Sequence, residues 1–238
     1  MIAIQTAELA DRIFVADGNC AEALAYLADG AGLSRSERLI MLVMLDALNV
    51  FSGATMKHSL RVGLQVRAFC NALGYSARDA ARFGLYACLH DSGKMGVPIT
   101  MLEKPGKFTA EERDVVETHV QREFLFPEQF SSCHRDPFRH ALRFHHENYD
   151  GTGYPDGLAG NDIPEIAQIT RLCDFFDAVR QDRPYRRGLS LPGAIALMQQ
   201  SPGAFNPQLF KAFLRDIRSI GAARREASSS LTIPPIKV

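Results

Sequence analysis

The sequence lacks the features that would place this protein in or across a membrane. It contains no uninterrupted run of about 18 apolar residues, which argues against a transmembrane helix. Its first residues show no basic segment leading into an apolar one, which argues against a secretory signal. We therefore expect a cytoplasmic protein that has no membrane partner.

Closely spaced cysteine pairs are also missing. The five cysteines are scattered along the chain, and none forms a C-x-x-C motif. Scattered thiols are typical of reduced, intracellular proteins, so a disulfide framework is not expected.

The chain has no excess of charge of either sign. It carries 27 basic and 27 acidic residues, which give a formal net charge of zero. Binding to duplex nucleic acid depends on clustered lysine and arginine, so we do not expect such a partner. A small phosphorylated ligand needs only a few local cations and remains compatible with neutrality.

No segment shows the alternation of a β-strand, whereas helical spacing of apolar residues recurs throughout. The sequence therefore predicts an all-α bundle. We divide it into an N-terminal helical appendage (1–50), a main domain (51–221) and a flexible C-terminal tail (222–238). Ser34 with Glu37, and Thr109 with Glu112, have the spacing of helix capping boxes. The appendage carries no chemistry and is interpreted as a packing or dimerisation segment.

The stretch that organises the chain is residues 145–158. It begins with the adjacent pair His145 and His146 at the end of a predicted helix, and continues into a loop rich in Gly, Asp and Pro. Upstream, His58 shares the apolar face of a predicted helix with Val62 and Val66. A lone inward histidine is more often a hydrogen-bonded core residue than a ligand, but the further motifs reverse that interpretation.

Those motifs supply more ligand types. His90 ends a predicted helix over 77–90, Asp91 follows it directly, and the next turn carries Lys94. His119 lies on the inward face of the next helix. In a predicted helix over 165–179, Asp174 and Asp177 are both candidates for an inward carboxylate.

Five of the seven histidines fall in these motifs. Five buried imidazoles without an ion would leave polar nitrogens without partners, at considerable cost. A single zinc ion takes only four ligands. The set therefore suits two metal ions that share a carboxylate.

With these motifs, the chain from about residue 55 to residue 213 resembles the HD-GYP family, a branch of the HD phosphohydrolases. The resemblance implies an HD-type helical bundle with two divalent ions, usually iron or manganese. It implies that one ion is held by His58, His90, Asp91 and Asp174, and the other by Asp91, His119, His145 and His146. Asp91, which bridges the ions, and Lys94, which contacts the scissile phosphate, are the implied catalytic residues.

The resemblance also implies a substrate-binding set, which consists of Lys94, Gly153, Tyr154, Pro155, Arg183 and Arg186. Without the family, Tyr154 could equally be an aromatic residue that packs in the turn. Some members hold a third metal through a glutamate four residues before the first histidine. Ala54 occupies that position here, so we expect two ions.

Three functions remain open. The family's usual activity is cleavage of cyclic di-GMP to pGpG, and further cleavage to GMP is left open. The alternatives are a non-catalytic cyclic di-GMP receptor and a phosphodiesterase for a hybrid cyclic dinucleotide. The complete ligand set favours catalysis, because a receptor would be free to lose ligands. A second copy of the chain or a signalling partner is the predicted contact of the N-terminal helices.

Overall fold

Helices make up the regular structure of the computed structural model, which describes residues 24–122, 130–182 and 187–230. These ranges contain no β-strand, and an isolated bridge joins Asp150 to Ala159. The all-α prediction is confirmed. The α-helices are α1 (Arg35–Phe51), α2 (Gly53–Ala72), α3 (Ala77–Ala87), α4 (Ile99–Leu102), α5 (Ala110–Glu117), α6 (Ser132–Phe144), α7 (Glu165–Arg180), α8 (Leu191–Gln199) and α9 (Pro207–Ser230).

Both predicted capping boxes are confirmed. The Ser34 side chain accepts a hydrogen bond from the Glu37 amide at the start of α1, and the Glu37 carboxylate accepts one from the Ser34 amide. Thr109 and Glu112 make the same reciprocal pair at the start of α5. These caps satisfy amide groups that have no partner within the helix, so the two helices begin where the sequence predicts.

Helix α2 lies at the centre of the bundle and packs against α3, α7 and α9. Where α2 crosses α3, a Cβ atom added to Gly63 would lie 2.6 Å from the Gly84 carbonyl oxygen. The two backbones can approach this closely only because both positions are glycine. The close crossing brings the end of α3, which leads to Asp91, against the helix that carries His58.

The described part of the N-terminal segment packs onto this bundle. Leu27, Met41 and Leu48 are buried in the same hydrophobic cluster as Phe69 and Phe213. The predicted domain boundary near residue 50 stays a prediction, and residues 1–23 lie outside the described part. No helix in the described ranges is long and apolar enough to cross a membrane.

Three helix ends differ from the predicted ones. Helix α3 ends at Ala87, so that His90 and Asp91 lie in the turn that follows it. In that turn the Leu89 and His90 amides donate to carbonyls three residues back, which is the tighter 3-10 pattern. Helix α5 also ends before His119, which lies in a 3-10 turn. Helix α9 continues to Ser230, beyond residue 221, where the tail was predicted to begin.

Candidate metal centre

Asp91 lies at the centre of the histidine cluster. Its Oδ2 atom is 3.7 Å from His58 Nε2 and 3.5 Å from His90 Nε2. Its Oδ1 atom is 3.5 Å from His119 Nε2 and 3.8 Å from His145 Nε2. Each oxygen therefore faces a different pair of imidazoles. A carboxylate placed in this way is suited to bridge two cations.

The surrounding side chains form two groups whose potential ligand atoms lie within 4.8 Å of one another. The first group consists of His58, His90 and Asp174, and the second of Asp91, His119, His145 and His146. The structure thus brings together all seven residues predicted as metal ligands. The division between the groups is the one that the family resemblance implies, with Asp91 between them.

Local backbone contacts orient three of the imidazoles. His90 donates its Nδ1 hydrogen to the Ala87 carbonyl oxygen at 2.8 Å, and His119 donates to Val116 at 2.7 Å. His145 does the same to the Leu142 carbonyl at 2.8 Å. A carbonyl oxygen can only accept, so the proton must lie on Nδ1. The lone pair of each Nε2 is then directed toward Asp91, as a metal ligand requires.

These inward atoms test whether a metal fits. His90 Nε2, His119 Nε2, His145 Nε2 and Asp91 Oδ1 are buried and have no hydrogen-bond partner among the described residues. Burying four such polar atoms without partners would be costly. Imidazole nitrogens and a carboxylate are common ligands of divalent transition metals. The donor set therefore fits metal ions, and their binding would remove the cost.

The charges of the cluster suit cation binding. Burial alone would raise the pKa of Asp91, but the charges of Lys94 and of the nearby histidines hold it well below its ordinary value. Burial, helped by the charge of Lys94, lowers the pKa of His119 to about 4. Burial likewise holds the pKa of His145 and His146 well below the ordinary value. At neutral pH these groups are an ionised carboxylate and neutral imidazoles, the forms that bind metals.

His58 is oriented by a carboxylate that the predicted site did not include. Its Nδ1 lies 2.8 Å from Asp177 Oδ2, while its Nε2 lies 3.0 Å from Asp174 Oδ1. Burial opposes a charge on His58, but hydrogen bonds to these two carboxylates raise its pKa to about 9. Asp177 is fully buried and also accepts hydrogen bonds from Arg61 and Gln65. The signal in the sequence was its spacing of one helical turn from Asp174.

Lys94 reaches the cluster from the 3-10 turn that follows Asp91. Its Nζ atom is 2.5 Å from Asp91 Oδ2, and its side chain is 23% exposed. The ammonium group therefore lies between the buried carboxylate and solvent, where a phosphate could meet it. Arg183 and Arg186, the other predicted cations of the substrate site, lie outside the described residues.

The loop that follows the histidine pair folds back over it. The Tyr154 ring stacks on the His146 ring with centroids 4.8 Å apart, and the Tyr154 amide donates to the His146 carbonyl at 3.3 Å. A Cβ atom on Gly153 would lie 2.3 Å from the Asn148 amide nitrogen, so this position requires glycine. Tyr154 thus supports His146, and substrate binding by Gly153, Tyr154 and Pro155 stays a prediction.

Arg171 on α7, unlike Asp177, was not singled out by the sequence. Its Nη2 donates to Asn148 Oδ1 at 2.9 Å, and its Nη1 lies 3.5 Å from His146 Nδ1. Burial lowers the pKa of Arg171, and the charge of Asp174 opposes that shift. The guanidinium group therefore lies behind one ligand of the second group, in the place that Asp177 takes behind His58.

Comparison with known proteins relates most of the chain to one family, since the HD domain matches residues 43–209. A cyclic di-GMP phosphodiesterase of Pseudomonas aeruginosa is 37% identical over 206 residues, which cover 84% of this chain and 48% of that protein. A cyclic di-GMP phosphodiesterase response regulator of Xanthomonas campestris pv. campestris is 34% identical, and the match covers 79% of this chain and 50% of that protein. A 3'3'-cGAMP-specific phosphodiesterase of Vibrio cholerae is 35% identical, and the match covers 66% of this chain and 34% of that protein.

The chain spans half the length of these relatives or less. Among solved structures, an HDG"Y"P protein from Bdellovibrio bacteriovorus superimposes with a TM-score of 0.51 at 18% identity. The match covers 84% of this chain and 77% of that one. At this identity the likeness shows a shared helical fold.

Proposed function

Because the chain belongs to the HD domain family, as its resemblance to HD-GYP proteins predicts, we propose that it is a metal-dependent phosphodiesterase that hydrolyses cyclic di-GMP to pGpG. The observation that carries the proposal is Asp91, whose two oxygens face separate imidazole pairs. Relatives named cyclic di-GMP phosphodiesterases support the choice of substrate.

The proposed centre holds two divalent ions, iron or manganese. In this proposal, one ion is held by His58, His90, Asp91 and Asp174, and the other by Asp91, His119, His145 and His146. The proposal is supported by the grouping of His58 with His90 and Asp174, and of Asp91 with the other three histidines. When bound, the ions supply Lewis acidity at the phosphodiester and an activated water nucleophile. No residue in the described part stands out as the proton donor to the leaving oxygen.

The protein's own side chains act around that centre. Asp91 is held in its ionised form, which allows both oxygens to serve as ligands. Lys94 offsets negative charge that grows on the phosphoryl oxygens, since its ammonium group lies beside Asp91 and is partly exposed. Arg183 and Arg186 are proposed to bind the remainder of the dinucleotide through forked hydrogen bonds.

A product assay tests the activity. Metal-replete protein, in separate iron and manganese forms, is incubated with cyclic di-GMP under reducing conditions, and Asp91→Asn serves as the inactive control. We expect pGpG from the wild type only. Intact ligand after long incubation with both metal forms would overturn the enzyme proposal and favour a receptor.

A hybrid cyclic dinucleotide is the second candidate substrate. It is favoured by the relative named a 3'3'-cGAMP-specific phosphodiesterase. The same assay with 3'3'-cGAMP in parallel separates the two, because the preferred substrate is the one cleaved with the higher kcat/KM.

Partner and location remain proposals as well. On α1, Val43 and Val50 are exposed large apolar residues, which supports a contact of the N-terminal helices with a second copy or a signalling partner. The free thiols of Cys70, Cys133 and Cys173 support a reducing, cytoplasmic location.

A further inference from the structure

The two ligand groups around Asp91 differ in charge. The first group, His58, His90 and Asp174, has a carboxylate of its own and also faces Asp91 Oδ2, whereas the second has three imidazoles and Asp91 alone. An ionised carboxylate attracts a divalent cation by Coulomb interaction, and a neutral imidazole adds no net charge. Lys94 Nζ lies 2.5 Å from Asp91 Oδ2 and offsets the charge of that shared carboxylate, so Asp174 is the residue that gives the first group the stronger field for a cation.

The residue behind His58 strengthens the first group through that imidazole rather than through its own charge, because Asp177 is paired with Arg61. Asp177 is buried and accepts hydrogen bonds from Arg61 Nε at 3.1 Å, Gln65 Nε2 at 3.1 Å and Gln181 Nε2 at 3.0 Å. These donors hold the carboxylate in position, 2.8 Å from His58 Nδ1. A carboxylate behind a ligand imidazole fixes its tautomer and makes its other nitrogen a stronger ligand.

The residue behind His146 has the opposite effect. Arg171 Nη1 lies 3.5 Å from His146 Nδ1, and Nη2 is anchored by Asn148 Oδ1 at 2.9 Å. A guanidinium group has only donors, so it cannot accept the His146 proton as the backbone carbonyls do for His90, His119 and His145. Its positive charge also opposes a second cation nearby. Arg171 is nearly one helical turn from Asp174 on α7, so one helix presents both the attracting and the opposing residue.

We infer that the two metal sites are unequal: the site of His58, His90 and Asp174 fills first and holds its ion tightly, whereas the site of His119, His145 and His146 binds its ion weakly and exchanges it. Asp177 and Arg171 are the positioning residues that set the difference. The inference rests on the proposed two-ion centre. It makes the second ion the one whose supply would control activity.

Titration calorimetry and equilibrium dialysis with Mn²⁺ on the full chain, after removal of metal with a chelator, test this inference directly. Wild-type protein should bind two ions in two steps that differ about tenfold or more in affinity. Asp177→Asn should weaken the first step by about 10- to 100-fold and leave the second unchanged. Arg171→Met, which removes the charge but keeps an unbranched side chain, should increase the affinity of the second step about tenfold and leave that of the first step unchanged.

Arg171→Lys is the matched control, since it keeps the positive charge and should retain the wild-type difference. Circular dichroism checks that each variant is folded. If Asp177→Asn does not fold, the comparison of Arg171→Met with Arg171→Lys still tests the inference. Two equal steps in the wild type, or an unchanged second step in Arg171→Met, would overturn the inference. A total of one ion per chain would instead overturn the proposed two-ion centre.

Discussion

At the scale of single residues, Lys94 separates charge neutralisation from metal binding. Its ammonium group contacts Asp91 but belongs to neither ligand group. Lys94→Ala should therefore keep both ions, raise KM modestly and lower kcat by about 10²- to 10³-fold, because the charge that it offsets develops in the transition state. Steady-state kinetics with metal analysis measures this. Lys104→Ala, which breaks an ion pair with Glu112, is the control and should leave kcat unchanged.

A fall in metal content that matches the fall in kcat would contradict that role for Lys94.

Single residues also show which parts of the site could be predicted from the sequence. The seven predicted ligands could be named because they lie in short local motifs that resemble those of the HD-GYP family. Asp177 and Arg171 acquire their positions through folding, since Asp177 meets His58 across 119 positions and Arg171 meets His146 across 25. The spacing of Asp177 from Asp174 predicts that it faces inward, but it does not predict which histidine it contacts, and no spacing pattern marks Arg171.

At the scale of elements, the loop after His146 depends on the absence of a side chain at Gly153. A Cβ atom there would lie 2.5 Å from both the Glu147 Cα and the His146 carbonyl oxygen, and backbone atoms cannot move aside as a flexible side chain can. Gly153→Ala should cost roughly 1–3 kcal/mol of unfolding free energy and reduce binding of the second ion. Gly193→Ala is the control, because its nearest neighbour would be 3.4 Å away.

Urea unfolding and Mn²⁺ titration measure the Gly153→Ala effect, and an unchanged second binding step would contradict it.

The helix ends show why the bounds of some elements were mispredicted. Capping boxes are local and were predicted correctly, whereas α3 and α5 end in tight turns that aim His90 and His119 at Asp91. Those ends are set by the site rather than by local helix signals.

Glu37 joins two elements. Its Oε2 accepts from the Ser34 amide at 2.8 Å, and its Oε1 accepts from the Ser131 amide at 3.0 Å just before α6. Burial alone would raise its pKa, but these bonds lower it from 4.5 to about 2. Glu37→Gln should therefore cost roughly 1–3 kcal/mol at pH 7. The depressed pKa means that this contribution is complete above about pH 4.5 and is lost as the pH falls toward 2.

Urea unfolding of wild type and Glu37→Gln at several pH values checks this, and the difference between them should shrink on acidification. Glu103→Gln, at the exposed end of α4, is the control and should leave the free energy of unfolding at pH 7 close to that of the wild type. A difference that grows as the pH falls would contradict the assignment.

At the scale of the whole molecule, the helical class followed from periodicity, and the site followed from the motifs. The packing of the described N-terminal residues onto the main core did not, because apolar helical stripes do not specify their partner. The elements that meet at Asp91 come from separate parts of the chain: the turn after α3, α2, the turn after α5, the end of α6, and α7. Metal ions bound at this candidate centre would therefore link elements from separate parts of the chain.

Because bound ions would link these elements, we expect metal removal to destabilise the whole protein. Without ions, one nitrogen in each of three histidines and an oxygen of Asp91 stay buried with no hydrogen-bond partner in the described part of the chain. An ion that binds only the folded chain adds about 2.7 kcal/mol at a concentration 100 times its dissociation constant. For a chain of this size, that corresponds to a rise in Tm of roughly 5–10 °C. Thermal unfolding with Mn²⁺ and with chelator measures the rise, Asp91→Asn should reduce it, and equal Tm values for the wild type in both conditions would contradict metal binding by the folded chain.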